Sequence, residues 1–259
     1  VLYQEEQDPQ LINRLRPEAV QRLQKRQQEL RLGALPPTPA HNFHGRSRQL
    51  LALERLLHTH HYAVVRGNGG AGKTTLAVEL ARWLVVSKRF GRAAFVSLEN
   101  LHDVRSVLDS LGRQLLPAYS VAEYKTLDEA LQPVRRALQD HPTIIVLDNL
   151  ESILVDASGN APAAAVPLAE FFALCQKLLA SDEDTRLVFT TREALPGPFD
   201  HKLCERELGA LDRHDAVALV SSVMKAEGLE PKANDPGSTP QEIDDLVEAV
   251  NCHARSLVL

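Results

Sequence analysis

The run Gly67-Asn68-Gly69-Gly70-Ala71-Gly72-Lys73-Thr74 leaves this chain few ways to fold. Glycine takes left-handed dihedral angles at no steric cost, so such a run can wind until successive backbone N–H groups converge on one point. The pattern G-x-x-x-x-G-K-[ST] is complete. It lies between a short apolar run at 62–66, which reads as a strand, and an apolar-rich stretch at 73–87, which reads as a helix. A strand feeding a glycine loop that opens a helix makes a cradle for phosphate, because the helix start adds about half a positive charge to the loop's donors. In this pattern Lys73 bridges the β- and γ-phosphates and the Thr74 hydroxyl ligates Mg2+. Thr75 meets the α-phosphate, and the main chain of 67–72 wraps the rest.

A magnesium-bound phosphate needs a second carboxylate-bearing strand. The run Thr143-Ile144-Ile145-Val146-Leu147-Asp148 supplies one, with four consecutive apolar residues burying the strand and delivering Asp148 at its C-terminal end. In a parallel sheet that end is the ligand edge. Asn149 follows, at the place where many ATPases put the acid that activates water. Asparagine can orient a water but cannot take its proton. Glu151 either substitutes, if the turn aims it inward, or is a surface carboxylate. Hydrolysis is therefore expected to be weak or conditional.

Compact runs rich in Val, Ile or Phe at 62–66, 93–98, 143–148 and 186–190 read as buried strands. Helical patterns near 73–87, 104–116, 127–139 and 164–180 lie between or beside them. Strands alternating with helices imply an α/β domain, a central parallel sheet flanked by helices. Beyond about residue 203 the strand signal fades, and helices near 212–226 and 240–250 predict a small helical subdomain, separated by a Pro/Gly/Asn-rich loop at 229–240. Upstream, 17–33 reads as an amphipathic helix with Val20, Leu23 and Leu30 on one face and Arg22, Lys25, Arg26 and Arg31 on another. Pro36-Pro37-Thr38-Pro39 then marks a boundary. The expected division is 1–42 as linker, 43–202 as nucleotide-binding domain and 203–259 as helical subdomain.

Composition narrows the class. Forty-one leucines against 12 aromatics favour packed helices over an aromatic-rich all-β domain. Three scattered cysteines form neither a disulfide framework nor a zinc cluster and suit a reducing, cytoplasmic setting. A net charge of −5 argues against direct nucleic-acid binding. The longest uncharged, mostly apolar run, 161–169, falls far short of the ~20 residues that cross a bilayer. His58, His60 and His61 make no i, i+4 metal pair with carboxylates and read as a solvated helix end. Val1 in place of an initiator methionine, and an apolar stop at 257–259, read as the cut ends of a piece of a longer polypeptide.

The order of motifs carries more than any one of them. Phe43-His44-Gly45-Arg46-x-x-x-Leu50, the glycine loop, Leu147-Asp148-Asn149-Leu150-Glu151 and Val188-Phe189-Thr190-Thr191-Arg192 follow in turn. Together they resemble the P-loop NTPases of signal transduction called STAND, of the NB-ARC/NACHT-like type found in immune receptors and apoptosome proteins. The resemblance covers roughly 43–259. It implies that Phe43 and Arg46 lie against adenine, that Arg192 senses a γ-phosphate, and that 251–257 is similar to the family's Gly-x-Pro helix start, with Ala254 in place of the proline. His253, at that helix start, is a candidate contact to phosphate or base, or a structural histidine. The first nine residues are similar to the last strand of caspase-like (CHAT) or TIR effector domains.

On this resemblance the chain is an ATP/ADP-binding switch. It would control self-association and the activation of an effector in the same parent chain, which would also carry a sensor, in the manner of bacterial defence signalling. A rival from another class is a nucleic-acid-remodelling ATPase of the AAA+ replication-initiator kind. It shares the sheet and helical lid but needs a basic DNA-facing surface, and the acidic balance speaks against that. A small-molecule phosphotransferase would want an acidic general base and a lid of arginines, and neither is evident. No Asn-Lys-x-Asp motif indicates guanine.

Overall fold

The computed structural model describes residues 32–39, 41, 43–101, 103–154, 167–228 and 240–258. The first nine residues, nearly all of the expected helix at 17–33 and most of the loop at 229–240 lie outside the described residues.

Five parallel strands form one sheet in the order β2-β3-β4-β1-β5. They are β1 (Tyr62–Arg66), β2 (Arg92–Ser97), β3 (Thr143–Asp148), β4 (Arg186–Thr191) and β5 (Glu205–Glu207). On one face lie α1 (Ser47–Thr59) and α2 (Lys73–Val86), and on the other α3 (Val104–Leu115), α4 (Leu127–Asp140) and α5 (Leu168–Leu179). The two-residue period of a strand sorts the side chains between these layers. Ile145, Leu147, Leu187 and Phe189 enter the core under α3–α5, while Ile144, Val146 and Val188 enter the core under α1 and α2. Every residue of β3 is buried, as its unbroken apolar run requires.

A third, smaller cluster joins α6 (Arg213–Ala226), α7 (Pro240–Ala249) and the turn Ala254–Leu257 around Leu211, Ala216, Leu219, Val220, Val247 and Leu257. Residues 32–39 are not a free tether. Leu32 and Leu35 pack against the α1–α2 core, and Arg82 on α2 donates to the Pro36 carbonyl at 2.7 Å.

The strand expected at 93–98 starts one residue earlier and ends one earlier, and β4 runs one residue beyond 190. β5 corrects the reading that strand structure ends near 203. Glu205-Arg206-Glu207 has no apolar signature because it is a three-residue edge strand. A cross-strand charge cluster holds it, with Arg66 reaching Glu205 at 2.6 Å and Glu207 at 3.3 Å. The opposite edge is closed by a side chain. The Gln114 amide accepts from the Phe95 N–H at 2.9 Å and donates to the Phe95 carbonyl at 2.7 Å, as a neighbouring strand would. No helix among the described residues is long and apolar enough to cross a membrane.

One packing contact in the α3 layer decides the sign of a substitution. A Cβ on Gly112 would stand 2.2 Å from the Tyr119 ring, which is buried and fixed by its hydroxyl's 2.8 Å bond to the Ala130 carbonyl. Gly112→Ala gains about 1 kcal/mol of helix propensity but overpacks a core that tolerates such insertions at about 1–3 kcal/mol. The variant is expected to unfold at lower urea concentration than the wild type, and Gly112→Ala/Tyr119→Leu to recover part of the loss. A Gly112→Ala protein more stable than wild type would contradict this packing.

Candidate functional site

The glycine loop leaves the C-terminal end of β1 between two neighbours. The Gly67 N–H donates to the Thr191 carbonyl at 3.1 Å, and a Cβ on Gly67 would stand 2.5 Å from the Leu208 carbonyl oxygen. Only glycine fits there. Gly70 (φ +77°) and Gly72 (φ +90°) are left-handed, and Gly72 is the residue from which α2 starts. Lys73 is 8% exposed, and its ammonium donates to the Asn68 carbonyl at 3.2 Å. Burial lowers its pKa, Glu151 opposes that shift, Arg192 adds to it and Asp148 opposes it.

Asp148 is 7% exposed at the end of β3. Its Oδ1 accepts from Thr74 Oγ1 at 2.7 Å and from Thr190 Oγ1 at 2.6 Å. The Thr190 hydroxyl in turn accepts the Asn149 N–H at 3.0 Å. Asn149 is left-handed (φ +66°), a conformation that Asn tolerates better than most side chains. Its amide donates to Ser152 Oγ at 2.8 Å. The one-turn helix that follows, Leu150–Ser152, aims Glu151 inward. Glu151 Oε1 lies 2.9 Å from Arg192 Nε and 3.9 Å from Lys73 Nζ, whereas its buried Oε2 has no hydrogen-bond partner. The Glu151 carboxylate therefore faces the glycine loop rather than open solvent. The Arg192 guanidinium also lies against Gly69, with its Cζ 3.3 Å from where a Cβ would stand.

A groove of about 380 Å³ opens beside the loop. Residues 70–75, including Ala71 and Thr75, line it together with Pro39, Phe43, Leu211, Leu219 and Val258, which supply apolar surface. Arg46 lines the groove too, but its guanidinium is taken up by carbonyls: Gly209 at 2.6 Å, Ala210 at 3.1 Å and Ala71 at 3.3 Å. It is 7% exposed, and burial lowers its pKa against the pull of Asp212 and Asp215. Arg46 thus ties the segment after β5 to the glycine loop.

The helical cluster reaches the loop as well. His253 Nε2 lies 2.9 Å from the Gly69 carbonyl, which can only accept, so that nitrogen carries the proton. His253 Nδ1 meets Ser256 Oγ at 3.0 Å. The Arg255 N–H donates to the Gly70 carbonyl at 3.1 Å, and a Cβ on Gly70 would collide with both His253 and Arg255. Residues 254–257 form a 3-10 turn where the resemblance implied a helix start. The turn is entered through left-handed Asn251 and Cys252 (φ +49° and +53°).

Thr190 and Arg255 lie within the sequence motifs, but those motifs assign no role to either. A hydroxyl in the apolar run 186–190 is the available signal for Thr190. Arg255 has none, because its place depends on where the helical cluster docks. Among the described residues no three His, Cys, Asp or Glu side chains are grouped to hold a metal alone. Thr74 and Asp148 instead present two converging oxygens, which suits an ion such as Mg2+ that keeps waters and shares its ligands with phosphate.

Thr190→Val keeps the side chain's shape but strips Asp148 of a donor and the Asn149 N–H of its acceptor, at about 1–3 kcal/mol for buried groups left unpaired. Urea denaturation followed by circular dichroism is expected to rank wild type first, Thr190→Ser second and Thr190→Val last. A Val variant as stable as wild type would remove the hydroxyl from the network.

Comparison with known proteins agrees with this architecture. The model of the AAA ATPase domain family matches residues 42–191. An uncharacterised WD repeat-containing protein of Nostoc is 27% identical over 165 residues, which are 60% of this chain and 13% of that protein, so the chain spans a small part of that relative's length. Among solved structures, the Walker-type ATPase of Pyrococcus abyssi superposes with a TM-score of 0.60 at 13% identity, over 86% of this chain and 68% of its own. The ORC2 protein of Aeropyrum pernix gives 0.58 at 18% identity, over 86% of this chain and 61% of its own. A STAND protein with a tetratricopeptide repeat sensor from Pyrococcus horikoshii gives 0.52 at 17%, over 85% and 30%. At these identities the structures speak for the fold alone. With its family model matched over more than half its length, the chain belongs to the AAA ATPase domain family, a membership that implies nucleotide binding.

Proposed function

We propose that this chain is an adenine-nucleotide switch of the STAND type, in which the helical cluster is a lid that reads the bound nucleotide. The observation that carries the reading is the row of contacts on the glycine loop. The carbonyls of Gly69, Gly70 and Ala71 accept from His253, Arg255 and Arg46 in turn. A lid fastened to the loop that holds phosphate is mechanically coupled to whatever the loop holds. The division into 1–42, 43–202 and 203–259 follows the same logic, with the groove lying where the second and third parts meet.

In this reading Lys73, Thr75 and the N–H groups of the loop bind phosphates, Thr74 and Asp148 hold Mg2+, and Phe43 with Leu211 and Leu219 packs the base. Mg2+, when bound, neutralises phosphate charge. Asp148 keeps its carboxylate oriented through Thr74 and Thr190. Asn149 is engaged with Ser152, so any activation of water falls to Glu151, itself held by Arg192, and hydrolysis is weak. Exchange of ADP for ATP would open the lid, promote self-association and activate an effector in the parent chain, as in defence signalling.

Calorimetric titration tests the site and the sensor together. Lys73→Ala removes a buried cation, and charge-assisted bonds of about 1.5–3 kcal/mol predict ADP binding about tenfold or more weaker. Arg192→Ala is expected to weaken a non-hydrolysable ATP analogue about tenfold or more while moving ADP little. Unchanged ADP affinity in Lys73→Ala overturns the phosphate site, and equal weakening of both nucleotides in Arg192→Ala overturns the sensor.

A further inference from the structure

Glu151 is bound by charge rather than by complementary hydrogen bonding. One oxygen sits between two cations, 2.9 Å from Arg192 and 3.9 Å from Lys73, while the other is shielded from water with no donor. A carboxylate buried for its own stability satisfies both oxygens. Its backbone cannot retreat. Leu150, beside it, is fully buried, the Ser152 N–H donates to the Asn149 carbonyl at 3.1 Å, and the Leu154 N–H donates to the Leu150 carbonyl at 3.1 Å. The Asn149 side chain and N–H anchor the front of the turn to Ser152 and Thr190. The turn therefore presents one fixed anion to the same two cations that a phosphate chain would use.

We propose that Glu151 is an internal anion that competes with the terminal phosphate for Arg192 and Lys73, and so sets the chain's preference between nucleoside triphosphate and diphosphate. The proposal rests on the nucleotide reading above and adds a specificity determinant to it. ATP exceeds ADP by one strongly anionic group, so the triphosphate bears more of the competition and of the repulsion from Glu151. Arg192 Nε cannot face both anions at once. Its side chain is 59% exposed, against 18% for Glu151, so the arginine is the partner free to turn away. Glu151 thereby biases the resting chain toward the diphosphate. Loss of that bias needs no movement of the sheet.

The test is a set of calorimetric titrations with Mg-ADP and a magnesium-bound non-hydrolysable ATP analogue, beside thermal melts of the nucleotide-free proteins. Glu151→Gln keeps the shape and removes the charge. It is expected to raise affinity for the analogue about tenfold relative to ADP, and to lower the melting midpoint of the nucleotide-free protein, whose two cations lose their counter-charge. Arg192→Ala should then cost more analogue affinity in the Glu151→Gln background than in the wild type, because the arginine is no longer shared. Glu151→Ala gives the same ranking if the Gln side chain disturbs the turn. A lower midpoint with no gain in analogue preference means a structural role and overturns the competition. So does an additive double mutant. A wild type that binds neither ligand overturns the nucleotide reading itself, a result distinct from binding both without selectivity.

Discussion

The Asp148 carboxylate is the point on which the rest of the molecule converges. One of its oxygens accepts from Thr74 at the start of α2 and from Thr190 near the end of β4, so a single buried acceptor pins three elements of the domain. Two short hydroxyl bonds to an ionised group are worth roughly twice neutral ones. They act where the strands end and the loop begins, which is where a parallel sheet has no further ladder of its own to fix geometry. From Thr190 the network passes to the Asn149 N–H, and from the Asn149 side chain to Ser152, so the turn that carries Glu151 inherits its position from the same carboxylate. The aspartate therefore orders this edge of the sheet.

The glycine loop obeys a simple accounting of backbone groups. A loop whose N–H groups face inward must send its carbonyls elsewhere, and buried carbonyls need donors. Here Lys73, at the end of the loop itself, donates to Asn68, and the other donors come from elsewhere in the chain: His253 to Gly69, Arg255 to Gly70 and Arg46 to Ala71. Three of these four belong to the helical cluster or to the segment that leads into α1. The conformation of the loop and the position of the helical cluster are thus two descriptions of one set of bonds. The missing side chain at Gly70 serves the same end, because it is the space into which His253 and Arg255 fit.

Features carried by local pattern are legible in the amino-acid sequence alone. The loop's glycines and Lys73, the apolar run ending in Asp148, and the strand–helix alternation are all visible there because each is written in consecutive residues. β5 is not, since an edge strand of Glu-Arg-Glu depends on its pairing with Val64, Val65 and Arg66, and on charge supplied by Arg66. Arg46 illustrates a different limit. The family resemblance implies a place for it against adenine, but which partner a guanidinium takes is decided by the free carbonyls around it, and Gly209 and Ala210 follow directly on β5. Thr190 and Arg255 belong to the same class, being defined by neighbours far away in sequence.

Asn149 joins these two kinds of information. Its identity suggests a weakened catalytic base, an argument from chemistry. Its left-handed backbone supplies an independent reason for asparagine, since the turn that follows β3 needs a residue that tolerates φ near +66° and can fasten Ser152. A residue spent on shaping the turn is not available to shape a water. What the turn delivers instead is Glu151, and it delivers that carboxylate into the field of Lys73 and Arg192 rather than into open solvent. A carboxylate held against two cations is engaged by them rather than turned toward a water. On the proposed reading, this arrangement gives up catalytic readiness for electrostatic control of a bound phosphate, a balance that suits a slow switch rather than a fast hydrolase.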